Sequence, residues 1–370
     1  MIRQFFLAGT AGIICLFSLL AGSGIGQTYG LYAKTEIVVI IVYTAVILSR
    51  VLSTRMVRRR NFVIFACLVV VVGIWPIVQG HKLMGVNYGW LLLLPYLVGI
   101  FSFTRLNIKV MSAACMAFGF AVLVAKIYFG IFAHWNPNDI AMVGFLCCAV
   151  FTVAPWQNWY ERLIERVSLI IMSLLILQMG SRSCFFGVLV LALFVFDILK
   201  SEQLLRYKWL RNIVLIMPAL IAVFVVLFQN AEIFDSLNDL SLQHFGKPIF
   251  NGRNDAWEDG LSLVMEHFWL GTGYIDNGRW HNCAVSCLTA FGVLGYVAWI
   301  GYFDNILSET VTWRKDVCLC NCVAAFLVVM LQQSFELGLI STTGNMLPYF
   351  LLGILLGRVR YLKKQQRIYG

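Results

Sequence analysis

The sequence predicts an all-α polytopic integral membrane protein, one transmembrane domain over residues 1–370 with about 12 transmembrane helices. Two observations support this prediction. Hydrophobic residues make up 60% of the chain and charged residues only 12%, which excludes a soluble globular domain. Apolar runs long enough to cross the hydrocarbon layer also recur from one end of the chain to the other. Such runs favour helices over open strands, because a helix satisfies its own backbone hydrogen bonds in lipid.

Each predicted span is an apolar run with polar or charged residues on both sides. The predicted ranges are 5–22, 31–49, 61–80, 89–104, 110–133, 138–156, 167–180, 183–199, 212–229, 282–303, 317–339 and 344–357. The first run has a basic start, but many further spans follow, so we interpret it as a retained helix and not as a signal peptide. The longest polar stretch, residues 230–281, is expected to form an external loop between spans 9 and 10.

The basic residues predict the orientation of the chain. They gather in three clusters, within residues 50–60, 200–211 and 358–367. The positive-inside rule places such clusters in the cytoplasm, so both termini are expected to be cytoplasmic. This placement also explains the net charge of +10 without any nucleic-acid partner.

Cysteine usage and the absence of cofactor motifs predict a protein without a bound cofactor. The eleven cysteines lie mainly in apolar runs, and no two of them have the two-residue gap of a zinc or redox site. We therefore expect small buried side chains. The sequence also contains no Walker loop, no group of Asp ligands for a metal and no Ser-His-Asp signature.

The external loop contains a predicted amphipathic helix over Arg253–Phe268. Its apolar residues recur at helical spacing, from Trp257 through Leu261 and Val264 to the end of the segment. Such a helix is expected to lie at the membrane interface, with Trp257 and Trp269 at headgroup depth. Arg253 would then begin the helix near the level of a lipid phosphate.

Alternation of the spans brings many polar side chains to one face of the membrane. They are Asn136, Asn138, Asp139, Arg182, Arg253, His281, Asn282 and Glu336. Because these groups are rare elsewhere in the spans, their convergence predicts one active chamber that opens to the external side.

Two arginines are candidate anion-binding residues. Arg182 follows Gly180 and Ser181 at a tight turn between two spans, where a cation either snorkels to headgroups or serves a function. Arg253 is either an ion-pair partner of nearby acidic residues or a ligand-binding residue. The planar guanidinium matches phosphate oxygens bidentately, so together the two residues can neutralise a diphosphate leaving group.

His281 is the candidate proton acceptor. An imidazole near neutral pH takes a proton from a hydroxyl or donates one to a phosphate oxygen, although an interfacial His can also simply bond to backbone. Asn282 beside it is a candidate orienting or sugar-binding residue. Gly292 and Gly295 are expected to let helices approach closely.

Four further residues are candidate substrate-binding groups. Asn136 and Asn138 either begin a helix, with Asn136 as the cap and Pro137 at its first position, or bind sugar hydroxyls. Glu336 is either a buried partner for an Arg or an acid/base group. Lys126 is a candidate second phosphate contact.

Taken in order, these motifs resemble the O-antigen polymerase and ligase superfamily. The motifs are NPN at 136–138, Ser-Arg-Ser at 181–183, Gly-Arg at 252–253, and His-Asn at 281–282 with nine residues to Gly292-x-x-Gly295. The resemblance covers roughly residues 130 to 340. Glu336 stands where that family often has a polar residue in a late helix.

The resemblance implies a metal-independent glycosyltransferase in the bacterial plasma (inner) membrane, with its active site on the periplasmic or exterior face. The implied donor is a glycan on undecaprenyl diphosphate, and the flippase and chain-length regulator of the same pathway are implied partners besides membrane lipid. By the same resemblance, Arg182 and Arg253 engage the diphosphate and His281 acts at the acceptor or leaving oxygen.

Three functions remain as alternatives at this point. A polymerase extends a lipid-linked repeat unit and is favoured because the external loop is compact; its product would be O-antigen, capsule or exopolysaccharide. A ligase instead transfers the glycan to lipid A core. A flippase for lipid-linked oligosaccharide also needs cations within a helical bundle. The sequence shows neither inverted repeats nor broken midplane helices, however, and its polar groups gather on one face.

Overall fold

The computed structural model describes residues 2–21, 68, 72, 74–229, 231–246, 248–250, 252–274, 279–340 and 346–369. Within these ranges all regular secondary structure is helical, which confirms the all-α prediction. The predicted span 31–49, most of the span 61–80 and the basic cluster within 50–60 lie outside the described residues.

The helices of the described residues follow one another through short connections. They are α1 (Ile2–Ala21), α2 (Trp75–Val78), α3 (Lys82–Gly99), α4 (Arg105–Phe129), α5 (Pro137–Phe151), α6 (Trp159–Gln178), α7 (Arg182–Val195), α8 (Ser201–Arg206), α9 (Lys208–Phe228), α10 (Glu232–Phe245), α11 (Arg253–Glu266), α12 (Cys283–Ser308), α13 (Val317–Gln332) and α14 (Met346–Tyr369). A 3₁₀ turn, Val311–Trp313, follows α12.

Among the described residues, three helical segments are long and apolar enough to cross a membrane: α4, α9 and Cys283–Trp313. Four shorter apolar helices accompany them in the described part of the chain, namely Gln4–Leu16 within α1 together with α5, α7 and α13. Each predicted span that falls in the described residues overlaps a helix. The total of about 12 spans stays a prediction, because a helix needs roughly 20 apolar residues to cross the hydrocarbon layer alone.

The helices α5 and α13 form the centre of the bundle. Every residue from Ile140 to Phe151 is buried, and nearly all of α13 is buried as well. Each contacts the other, and α7 packs against both. A helix that is apolar on all sides belongs in such a core. By contrast, α9 exposes Leu220, Phe224 and Leu227 on its outer side, as expected of a lipid-facing helix.

Consecutive helices run in opposite directions, so the bundle has two distinct ends. The starts of α5, α7 and α12 lie with the ends of α4, α6, α9 and α13 at one end, which we call the loop end because α10 and α11 belong to it. The starts of α6, α9 and α13 lie at the other end, which we call the basic end. Residues 200–211 and 358–367, two of the three basic clusters, lie at the basic end.

The helix α12 breaks at Gly292, whose φ is +64°. The loop 268–273 runs alongside the break, where the Val293 amide donates to the Phe268 carbonyl at 2.8 Å. A β-carbon on Gly292 would lie 2.3 Å from the Trp269 backbone, so only glycine fits. The close approach at Gly292 is therefore made by this loop and not by a neighbouring helix as expected. The loop also satisfies backbone groups that the break leaves without helical partners.

Every cysteine in the described ranges is a free, buried thiol, as predicted. Cys15 and Cys115 bring their sulfur atoms to 3.6 Å where α1 meets α4. These thiols fill space between closely packed helices, as small apolar side chains do.

Candidate active site at the loop end

The external loop contributes two helices to the candidate site. The helix α11 begins at Arg253 after Gly252, whose φ of +77° sharply turns the chain, and it ends at Glu266. This confirms the predicted amphipathic helix, which is two residues shorter than expected. The preceding helix α10 was not predicted. Its residues Phe234, Leu237 and Leu240 recur at helical spacing, a pattern from which an amphipathic helix could have been predicted.

Trp257 anchors α11 to the bundle. Its ring is fully buried beside Val285 and Ala222, and its indole N–H donates to the carbonyl of Trp280. Trp257 therefore does not face lipid headgroups, because its apolar face meets protein and its polar atom finds a backbone partner there. Trp269, in contrast, is 63% exposed.

His281 stands between two buried anchors. Trp280 precedes it and is held by Trp257, and the buried side chain of Asn282 follows it. The φ of His281 is +45°, in the left-handed region that few non-glycine residues adopt. Such local strain persists only where neighbouring contacts over-determine the backbone, and it is frequent at functional sites. The imidazole itself is 44% exposed.

Asn282 is a structural anchor. Its amide nitrogen donates to the carbonyls of Pro218 and Ser334 at 2.9 Å each, and its oxygen accepts from the amides of Ala284 and Val285. These four hydrogen bonds use the full capacity of the side chain. The expectation that Asn282 binds sugar is not supported. Instead, Asn282 caps α12 and joins it to α9 and to the turn after α13.

Glu336 lies at the centre of the site, on the turn that follows α13. Its carboxylate accepts a hydrogen bond from Ser183 at 2.9 Å and meets a guanidinium nitrogen of Arg253 at 3.4 Å. The Nδ1 atom of His281 lies 3.8 Å from its other oxygen. Glu336 therefore connects α7, α11 and the start of α12. Its side chain is only 12% exposed, whereas His281 faces the open side.

Arg182 links α7 to the external loop. Its guanidinium donates to the Ser241 hydroxyl at 2.8 Å and to the Pro248 carbonyl at 3.2 Å. Its charge also lies close enough to Arg253 for the two to repel each other. The guanidinium is therefore directed into the protein, which disfavours the snorkelling alternative, and two cations face the same region.

Asp139 is a site residue to which sequence reasoning assigned no role. It lies in the first turn of α5, and its carboxyl is close enough to Glu336 and His281 to interact electrostatically with both. The sequence did indicate that Asp139 lies among the external polar residues, and this was the evidence from which a role in the site could have been predicted. Ser183, which bonds Glu336, was part of the Ser-Arg-Ser motif but likewise had no assigned role.

The other predicted binding residues have local partners. The ammonium of Lys126 donates to the carbonyls of Phe132, Ala133 and Trp135, so its N–H groups are used and the expected phosphate contact is not supported. The Asn136 oxygen accepts from the amide of Asn138, as a helix cap does. Both asparagines are exposed at the loop end, and their contact with sugar stays a prediction.

The arrangement combines an anion-binding region with a carboxylate–imidazole pair. The N-terminus of α11 adds its own partial positive charge to the two guanidinium groups. In the described part of the chain, no three His, Cys, Asp or Glu side chains form a metal-binding group. The site can thus hold a phosphate group through its cations and move a proton through His281.

Fold and site together define a helical membrane protein with a cationic polar site at one end of its bundle. Residues 167–300 match the family model described as Wzy_C: O-Antigen ligase. This match confirms the resemblance to the O-antigen polymerase and ligase superfamily and implies a membrane enzyme of the glycosyltransferase type. The matched region contains Arg182, Arg253 and His281, and Glu336 lies beyond it. A comparison with curated proteins finds no match.

Proposed function

We propose that this protein is a polymerase of bacterial surface polysaccharide. It transfers a glycan from undecaprenyl diphosphate to the acceptor sugar of a second lipid-linked repeat unit, without a metal ion. The observation that carries the proposal is the carboxylate of Glu336, which brings Arg253, His281 and Ser183 together beside Arg182. The superfamily resemblance supplies the reaction class.

The acceptor is activated by His281 in this proposal. Glu336 faces Nδ1, so it favours the tautomer that carries the proton on Nδ1 and leaves Nε2 as the acceptor. The sugar hydroxyl gives its proton to Nε2 while its oxygen attacks the anomeric carbon of the donor. The separation of 3.8 Å is compatible with this role, because catalytic hydrogen bonds often tighten only when substrate binds.

The arginines stabilise the leaving group. As the new glycosidic bond forms, the bond between the anomeric carbon and the phosphate oxygen breaks, and undecaprenyl diphosphate leaves. Arg253, at the N-terminus of α11, meets the negative charge that develops on that oxygen. Arg182 adds a second positive charge and holds the loop that carries Arg253 in place.

The compact external loop supports a polymerase. Helix α11 packs against α9 and α12, so the loop is folded onto the bundle. The alternative is a ligase that transfers the glycan to lipid A core, which the description of the matched family favours. The chemistry proposed for His281 and the arginines is the same in both cases, and only the acceptor differs.

The site faces the periplasm or exterior of the bacterial plasma membrane in this proposal, and both termini are cytoplasmic. The basic clusters within 200–211 and 358–367 support this orientation, since they lie at the end of the bundle opposite to the site. A flippase and a chain-length regulator of the same pathway are the proposed protein partners.

The test is reconstitution of the purified protein with lipid-diphosphate-linked repeat units. A polymerase lengthens the glycan and releases one undecaprenyl diphosphate for each glycan transferred. A second arm offers lipid A core, and transfer to that acceptor alone identifies a ligase. Movement of the lipid across liposomes without a new glycosidic bond would refute both and indicate a flippase.

A further inference from the structure

A second polar cavity lies at the basic end of the bundle, far from the candidate active site. Its volume is about 420 Å³, within the range of small-molecule sites. It lies between the ends of α5 and α7 and the starts of α6 and α13. The charged and amide side chains that line it are those of Arg162, Glu165, Asp197, Lys200, Glu202 and Asn321.

Glu165 is the feature of this cavity that calls for a ligand. It is more than nine-tenths buried, and within the described residues its carboxylate has no hydrogen-bond donor. Two arginines lie nearby, but neither donates a hydrogen bond to Glu165. Arg166 and Arg162 approach Asp197 instead, at 3.4 and 3.8 Å. Burial raises the pKa of the Glu165 carboxyl to about 8, so the group is mostly protonated at neutral pH until a bound cation stabilises its charged form. A buried acceptor that lines a cavity and lacks a donor is costly unless a ligand or water supplies one.

Hydrogen-bond donors line the same cavity. Asn321 accepts from the Ser201 hydroxyl through its oxygen, and its amide nitrogen makes no hydrogen bond in the described part of the chain. Arg162 and Lys200 bring positive charge to the exposed side, and the Arg162 side chain is 52% exposed. The cavity thus offers an acceptor in its interior and anion-binding donors around it.

The surroundings of the cavity indicate headgroup depth. Trp159 is 78% exposed, Trp209 is 62% exposed and Tyr160 is 50% exposed, all at the basic end. Exposed Trp and Tyr side chains gather at the level of lipid headgroups, where both apolar and polar groups are satisfied. A cavity at this level is directly accessible to phospholipid.

We infer that this cavity binds the headgroup of a phospholipid that carries a primary ammonium and a phosphodiester. The ammonium donates to Glu165, and the phosphodiester accepts from Asn321, Arg162 and Lys200. A primary ammonium fits because it has N–H groups to donate, whereas a trimethylated ammonium has none. This inference does not depend on the function proposed for the loop end.

The test is lipid binding to the full-length protein purified in dodecyl maltoside, measured by native mass spectrometry and by thermal unfolding. The probes are dihexanoyl phosphatidylethanolamine, phosphatidylcholine and phosphatidylglycerol, with soluble glycerophosphoethanolamine as a separate arm. The expected result is that phosphatidylethanolamine binds at least about tenfold more tightly than the other two lipids, as one charge-assisted hydrogen bond allows.

Two variants locate the binding. Glu165→Gln keeps the shape of the side chain but loses its charge, and it should weaken phosphatidylethanolamine binding about tenfold. Glu266→Gln, an exposed carboxylate at the loop end, is the matched control and should bind like wild type. Equal affinity for all three lipids, or an unchanged affinity in folded Glu165→Gln, would overturn the inference. If glycerophosphoethanolamine binds as tightly as phosphatidylethanolamine, the ligand is a soluble zwitterion and the proposal of a lipid ligand is wrong.

Discussion

The two ends of the bundle hold their charged residues in different ways. At the basic end, Arg358 is buried and donates to both oxygens of Asp316, at 2.7 and 3.2 Å, and to the Phe103 carbonyl. At the loop end, Arg253 is 21% exposed and approaches Glu336 with one nitrogen at 3.4 Å.

This difference distinguishes a structural ion pair from a site prepared for a ligand. The Arg358–Asp316 pair uses the bidentate geometry of guanidinium and carboxylate, and little donor capacity remains. At the loop end the one carboxylate of Glu336 is shared between Ser183, Arg253 and His281. Because these three donors share a single carboxylate, part of the positive charge of Arg253 stays available to an anionic substrate.

Replacing the proposed base should have the largest effect. We expect His281→Ala to lower the rate of glycan elongation by about 10²–10⁴-fold, because no other group replaces its proton transfer. The rate is measured with lipid-diphosphate-linked repeat units at matched amounts of purified protein. Thermal unfolding of the variant serves as the control for folding. Elongation within threefold of wild type would remove His281 from the mechanism.

Arg253→Lys tests whether the loop-end cation needs the guanidinium fork. Lysine keeps the charge but not the planar pair of donors, so we expect a loss of about 10²-fold in elongation rate. Arg253→Ala should lose at least as much. The amount of protein in the membrane should be unchanged in both variants. If the lysine variant works at the wild-type rate, the residue contributes charge alone and the bidentate phosphate contact is wrong.

Breaking the pair at the basic end should reduce stability and leave chemistry intact. Asp316→Ala leaves the buried Arg358 without its partner and should lower the free energy of unfolding by about 3–5 kcal/mol. Thermal unfolding in detergent measures this loss. The elongation rate per folded molecule should equal that of wild type. A specific loss of rate with unchanged unfolding would contradict the division between the two ends.

Lys126→Met should have the smallest effect. The substitution keeps the length of the side chain but removes its bonds to the carbonyls of the 132–135 loop, which costs about 1–2 kcal/mol of stability. Since we assign no substrate contact to Lys126, the KM for the lipid-linked donor should not change. A severalfold rise in KM at unchanged stability would restore the phosphate contact.

Local patterns in the sequence predicted several elements of the fold and site. The cap at Asn136 and the helix after Gly252 depend on neighbouring residues, and both are present in the structure. The gathering of Arg253 and His281 at one end followed from alternation of the spans. Such features are readable because local backbone chemistry and the direction of each helix decide them.

Other expectations failed where partners come from distant segments. Asn282 reads as a polar residue at a membrane surface, yet its donors are used by Pro218 and Ser334, which are 64 and 52 residues away. Trp257 lies on the predicted apolar face of α11, but that face meets protein and not lipid. An apolar helical face specifies only that it avoids water, and it does not specify which apolar surface covers it.

The residues alone predict an all-helical membrane protein with a polar site at one end, because a chain this apolar must satisfy its backbone hydrogen bonds within helices and place its charges outside the hydrocarbon layer. The packing of the helices then settles which of those polar groups hold the fold together and which face a ligand. Each such group has a limited number of hydrogen bonds, and whether they are filled depends on helices that meet only after folding.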